Sequence, residues 1–393
     1  MDVKKNIVPI TGAQAVAEAM RQINPAVVAM YPITPQTPII ENFAKYHADG
    51  IVDTEIIRVE SEHSAMSAVL GASASGVRAM TATSSNGLEL MHEVVAAVPG
   101  MRLPVVMPIV NRAVSSPINI HCDHSDSMAC RDLGWIQIFS ETAQEAYENT
   151  ILAIRLSEKC LFPTMVMQDG FITSHSVENV EIFKDSEIKK FIGKYNPINP
   201  LLNLDKPMTY GPIELQNYYF ETKYQEVEGF EKIIDEYTNI GKQLSQITGN
   251  KYPLFEGYKI KDAEVIIIVL SSSFGTVKEV IERYRKNGKK VGALKPKIFR
   301  PFPYKQIYKA ISKAKTIGVL DRSLSRGAFP PLASDIKVAI NTYKEGKNVP
   351  DVASYVFGLG GRDLFENDIE ILIDNLLNNK YNITKVDYIG VRK

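Results

Sequence analysis

From Ala13 to about Asp169, short apolar runs alternate with stretches of helical spacing. VVAMY at 27 to 31, RAMTAT at 78 to 83, PVVMPIV at 104 to 110 and FPTMVMQ at 162 to 168 are apolar or small at most positions. That pattern fits parallel strands covered by helices on both faces. Ser61 is a natural N-cap, which puts Glu62 in a first helical turn, where the macrodipole favours a carboxylate. Pro38 behind Thr37 marks a second helix start. Between about 180 and 257 the chain is richer in charge. Helical spacing in FEKIIDEYTNIGKQL at 230 to 244 predicts a connector with one long helix. From Asp262 a second alternating unit begins: EVIIIVL at 264 to 270, a helix from about Val277 to Lys286, KVGALK at 290 to 295, a helix after Pro303, TIGVLD at 316 to 321 and DVASYVFG at 351 to 358. The expected fold is therefore α/β with two doubly wound domains, 1–200 and 258–393, joined by a helical connector at 201–257. No repeat relates the two units.

With 393 residues, 45% of them apolar and 23% charged, the chain is long enough for two cores. Lys plus Arg equals Asp plus Glu at 45 each, so no global field favours nucleic acid or a membrane surface. Cys122, Cys130 and Cys160 are too scattered for a disulfide framework, and no CxxC pair is present to hold zinc or an iron–sulfur cluster. This usage predicts a cytoplasmic protein. MDVKKNIVPITG carries no long apolar stretch, and the most apolar window, 94 to 110, is broken by Arg102 and three prolines. Neither a signal peptide nor a membrane span is expected.

Nucleotide-loop and serine-hydrolase spacings are missing, since GASASG at 71 to 76 is not GxSxG. His121, Asp123, His124 and Asp126 in NIHCDHSDS have metal-ligand chemistry but lack ligand spacing, and a hydrogen-bonded loop is the favoured reading. Glu62 is followed by Ala65, Met66, Ala68, Val69 and Leu70. Against such a surface a carboxyl without a cation has its pKa raised. The alternative is a carboxylate that only complements the helix dipole; Glu60, two positions back, is equally a candidate for the solvated one, and His63 either orients a bound group or only packs. Thr34, Pro32 and Pro35 make either a ligand loop or a stiff surface turn. Arg112 ends the long strand LPVVMPIVNR, where a guanidinium either holds a substrate carboxylate or reaches solvent. Ser85 and Asn86, in TSSNGLELMHE at 83 to 93, offer a hydroxyl and an amide between strand and helix. GLGGRD at 358 to 363 reads as a tight turn with a capping aspartate.

Taken together, YPITPQT at 31 to 37, VESEHSAMSA at 59 to 68, TATSSNGLELMHE at 81 to 93 and the segment from Gly100 to Met128 resemble the alpha subunit of multisubunit 2-oxoacid:ferredoxin oxidoreductases, most closely the pyruvate enzyme. RDLGWIQ, DGFITSH, FRPFP and GLGGRD extend the likeness over nearly the whole chain. The resemblance implies a thiamine-pyrimidine-binding-type domain followed by a transketolase C-terminal-like domain. It implies thiamine diphosphate shared between subunits, the pyrimidine on this chain and the diphosphate with Mg2+ on a beta subunit. Glu62 matches the glutamate that bonds the pyrimidine ring nitrogen, with Pro32, Ser85 and Asn86 on the cofactor side. Thr34 and Arg112 match the residues that contact the 2-oxoacid. Beta, gamma and delta subunits would complete the enzyme, with 4Fe-4S clusters in the partners, ferredoxin as electron acceptor, and pyruvate and coenzyme A as substrates. Two alternatives remain open, a branched-chain 2-oxoacid enzyme and a non-catalytic scaffold subunit.

Overall fold

The computed structural model describes residues 6–344 and 349–392. Lys4 and Lys5, part of the N-terminal reading, lie outside them. Six strands from the first half of the chain and one from the second build a seven-stranded sheet in the spatial order Ile298–Arg300, Ile136–Phe139, Thr164–Asp169, Val106–Asn111, Ala79–Met80, Val27–Met30, Glu55–Arg58. All neighbours are parallel except the first pair. Val106–Asn111 and Thr164–Asp169 are buried at every position, as central strands between helical layers must be. The RAMTAT run keeps only Ala79–Met80 as strand, with an isolated bridge from Thr83 to Ile109. Glu55–Arg58 was not anticipated, because its two apolar residues are flanked by charges at a sheet edge. Ile7–Thr11 pairs antiparallel with Val177–Glu181 in a separate ribbon.

The second sheet has the order Val386–Tyr388, Asp351–Val356, Thr316–Asp321, Val265–Val269, Val291–Pro296, Phe255–Tyr258, parallel except for the last strand. Ile298–Arg300 leaves this unit and adds an antiparallel edge to the first sheet, so the two halves are more entangled than sequence alternation suggests. The connector holds two helices, not one. Tyr219–Glu231 buries no residue, whereas Ile233–Thr248 packs Ile233, Tyr237, Ile240 and Leu244 inward, and the expected run at 230 to 244 straddles their junction at Lys232. Ser61 caps the helix Glu62–Ala74 by accepting from the Ser64 N–H at 3.2 Å, and Thr37–Ala48 carries Pro38 in its first turn. Among the described residues no helix is long and apolar enough to cross a membrane.

An ionic cluster joins the halves. Lys295, fully buried on Val291–Pro296, reaches Glu145 at 3.0 Å and Glu256 at 3.2 Å and also pairs with Glu141, while Lys297 reaches Glu145 at 2.9 Å. Burial opposes ionising Glu145, yet Lys297 and Lys295 outweigh it and hold the carboxyl down at about 2. Replacing Lys295→Met keeps the volume but leaves Glu141 and Glu145 short of a cation. It should cost about 3 kcal/mol, read as a lower denaturation midpoint with an unchanged slope.

Candidate active site

Five adjacent strands of the first sheet, from Thr164–Asp169 to Glu55–Arg58, end on one side of the molecule, where α/β sheets bind ligands. The loops that follow them carry Arg112, the segment from Thr81 to Gly87, Pro32 with Thr34, and Glu60 with Glu62. Glu62 is only 6% exposed. Among the described residues its carboxyl makes no ion pair and no hydrogen bond to another side chain, and burial raises its pKa against the opposing effect of its own backbone N–H. Glu60 is exposed, bonded by Ser64 Oγ, and held below the usual range by that bond. The two carboxyls therefore have opposite environments. Gly87 lies against Glu62: a Cβ there would stand 2.5 Å from Glu62 Oε1 and 2.5 Å from Thr83 Oγ1. The hydroxyls of Thr83 and Ser84 are buried and find no hydrogen-bond partner among the described residues. His63 is half exposed and lies 3.6 Å from Glu93.

Arg112 is 6% exposed. Its Nη1 donates to the Thr34 carbonyl at 2.9 Å and its Nε to the Asn119 carbonyl at 3.0 Å, so Thr34 and Arg112 come together. Among the described residues no carboxylate pairs with this guanidinium, and burial lowers its pKa. The Thr34 and Pro32 side chains are exposed at the mouth of the site. Ser85 is buried with φ +46°, and its hydroxyl donates to the Ala113 carbonyl at 2.5 Å, which makes it part of the loop's frame. Asn86 is exposed, and its Oδ1 accepts from the Ser115 N–H at 3.2 Å.

The loop NIHCDHSDS holds what sequence reasoning missed. Asp126 is wholly buried and accepts four N–H bonds: Ser85 N at 2.9 Å and Arg112 N at 3.0 Å on one oxygen, Asn111 Nδ2 and Ser127 N at 2.7 Å on the other. It thereby fixes both the 83–87 loop and the base of Arg112. Among the described residues of this neighbourhood only Cys122, His124 and Asp169 lie close enough to share an ion. Arg322 already neutralises Asp169 at 3.1 Å and stands 3.7 Å from Cys122, whose thiol burial pushes well up, so the geometry is that of a hydrogen-bonded loop.

Residues 18–239 match the family described as "Pyruvate flavodoxin/ferredoxin oxidoreductase, thiamine diP-bdg", and residues 263–369 match "Pyruvate:ferredoxin oxidoreductase core domain II". The chain belongs to the pyruvate:ferredoxin oxidoreductase family. It is 51% identical over 388 residues to pyruvate synthase subunit PorA of Thermotoga maritima, covering 98% of each chain. To the ketoisovalerate oxidoreductase subunit VorA of Pyrococcus horikoshii it is 38% identical, covering 93% of each. A solved 2-oxoglutarate:ferredoxin oxidoreductase from Magnetococcus marinus superposes with a TM-score of 0.71 at 20% identity, covering 96% of this chain and 65% of that one. A split-gene transketolase superposes with a TM-score of 0.57 at 11% identity. The thiamine-diphosphate-binding domain of this oxidoreductase family thus contains Glu62, Arg112 and Asp126, and the α/β expectation of two wound domains with transketolase-like neighbours holds.

Asp126 also makes a pH prediction. Burial raises its pKa to about 6, against the lowering effect of Asn111 and the backbone N–H groups of Ser85, Arg112 and Ser127. Its unfolded value is about 3.9, so the folded form binds its proton more tightly. Its stabilisation is complete below that value and is lost as pH rises through about 6. Asp126→Asn should flatten this stretch of the curve of melting temperature against pH.

Proposed function

We propose that this chain is the alpha subunit of a pyruvate:ferredoxin oxidoreductase and supplies the pyrimidine-facing carboxyl and the substrate-facing arginine of a shared thiamine diphosphate site. The observation that carries the reading is Glu62: a carboxyl at 6% exposure that, among the described residues, pairs with no cation and packs against Gly87 near the buried, unbonded Thr83 hydroxyl. Burial disfavours the charged form of this carboxyl, so it holds its proton more readily than an exposed glutamate and can share it with a ring nitrogen, which suits an aminopyrimidine. Bound there, thiamine diphosphate supplies a carbon nucleophile and an electron sink for cleaving a 2-oxoacid. Glu62 would orient the ring and move a proton at its carboxyl oxygen. Gly87, having no Cβ, lets that carboxyl lie directly against the backbone of the 83–87 segment. Arg112 would hold the substrate carboxylate with the N–H groups that Thr34 and Asn119 leave free.

The chain has no phosphate loop and no cysteine cluster. Accordingly the diphosphate and Mg2+ are assigned to a beta subunit, and 4Fe-4S clusters to partner subunits including a delta subunit. A gamma subunit completes the assembly, and the complex works in the cytoplasm. Pyruvate and coenzyme A then give acetyl-CoA and carbon dioxide, with the electrons passing singly to ferredoxin. The 51% identical relative is a pyruvate synthase subunit, which supports pyruvate as the acid. A branched-chain 2-oxoacid is the second reading, favoured by the 38% identity to a ketoisovalerate oxidoreductase subunit. Comparing kcat/KM for pyruvate and ketoisovalerate on the purified complex separates them.

In the assembled complex Glu62→Gln should lower pyruvate-dependent ferredoxin reduction by on the order of 100-fold or more. An unchanged rate would make the chain a scaffold. Arg112→Lys should raise KM for pyruvate by on the order of tenfold, because an ammonium cannot reproduce the planar fork, and initial rates across pyruvate concentrations measure it.

A further inference from the structure

The glycine run of the second sheet, without a role in the reaction above, packs on the support of the substrate arginine. Gly358, Gly360 and Gly361 have φ of +62°, +61° and +80°, which L side chains rarely adopt. A Cβ on Gly360 would overlap Asn119 Nδ2, and one on Gly361 would overlap His121 Cβ. Their bareness lets this backbone lie directly on residues 119–123. Asn119 Nδ2 donates to the Gly360 carbonyl at 3.0 Å, Gly361 N to the Cys122 carbonyl at 2.7 Å, and Gly360 N to Asp123 Oδ2 at 3.3 Å. Asn119 Oδ1 accepts from the His121 N–H at 2.7 Å, so both ends of its amide are engaged. Its main-chain carbonyl accepts from Arg112 Nε at 3.0 Å. The sequence of contacts runs from a loop of one sheet, through one asparagine, to a guanidinium at the end of a strand in the other.

We propose that Asn119, gripped by Gly360, is a positioning residue that fixes the plane of Arg112 and so sets affinity for the substrate carboxylate. The proposal rests on the assignment of Arg112 to that carboxylate. A guanidinium bonded at Nε and Nη1 is held at two points of its plane, leaving Nη2 and the remaining Nη1 hydrogen to bind. Ordering done before binding is ordering the substrate does not have to impose. Loosening it removes binding common to ground and transition states, which appears in KM and not in kcat.

The test uses the assembled complex. Asn119→Ala should raise KM for pyruvate about tenfold while kcat stays within about twofold, the scale of one lost hydrogen bond. In an Arg112→Lys background, where no Nε–H exists for the Asn119 carbonyl to accept, the same replacement should change KM by less than about twofold more. Gly360→Ala, which displaces the amide without removing it, should reproduce the KM rise. A KM unmoved by either single change, or a penalty undiminished beside Lys at 112, overturns the proposal. If Arg112→Lys itself leaves KM unchanged, the failure lies in the assignment of Arg112 and the proposal falls with it.

Discussion

The Asp169 carboxylate is where one sheet ends and the other takes hold. It closes the strand Thr164–Asp169 of the first sheet, and its partners come from two directions. His124 Nε2 lies at 2.8 Å from within the first domain, while Arg322 at 3.1 Å and the Ser272 N–H at 3.3 Å come from the second. Arg322 is itself 4% exposed and stacks over Phe357 with 5.1 Å to the ring centroid. Removing either charge of such a buried pair leaves the other uncompensated, at a cost of about 3–5 kcal/mol. The same clasp sets geometry, because the Arg322 carbonyl accepts from the His124 N–H at 2.8 Å. The loop carrying Asn119 and Asp126 is thus held from the second sheet as well as from the first.

Three buried carboxyls within this region have three different fates, decided by what faces them. Asp169 is fully buried, which opposes ionisation, yet His124 and Arg322 keep it well below the ordinary carboxylate range. Asp126 meets neutral N–H donors only, and burial prevails to leave it near 6. Among the described residues Glu62 has neither a cation nor a side-chain donor, and burial is opposed by its own backbone N–H. The first is structural anchorage and the second a framework for loops. Only the third retains unsatisfied hydrogen-bonding capacity at a sheet edge where strands end, which is what a ring nitrogen requires of its partner. Composition cannot distinguish them, since all are acidic residues near serines and histidines.

What was legible in the sequence follows from this difference in range. Central strands such as Val106–Asn111 and Val265–Val269 were readable because burial on both faces makes them apolar throughout. The helix start at Ser61 was readable because a cap is a local hydrogen bond, and with it the placement of Glu62 in the first turn. Arg112 was readable as a strand-end residue. Ile298–Arg300 was not, because joining the other half's sheet is a fact of tertiary packing that three residues cannot encode. Nor was Asp126, whose four donors come from three segments separated along the chain. GLGGRD shows the boundary most clearly. Its glycines announce left-handed backbone, correctly, but a glycine is also required where another backbone comes close. Which backbone comes close is a contact across 241 positions, between Asn119 and Gly360, and no local rule carries that far. A turn motif whose glycines are needed for both reasons looks the same in sequence as one needed for the first alone. The way to separate them is to ask what a Cβ would strike. Here it would strike the side chain beneath the arginine.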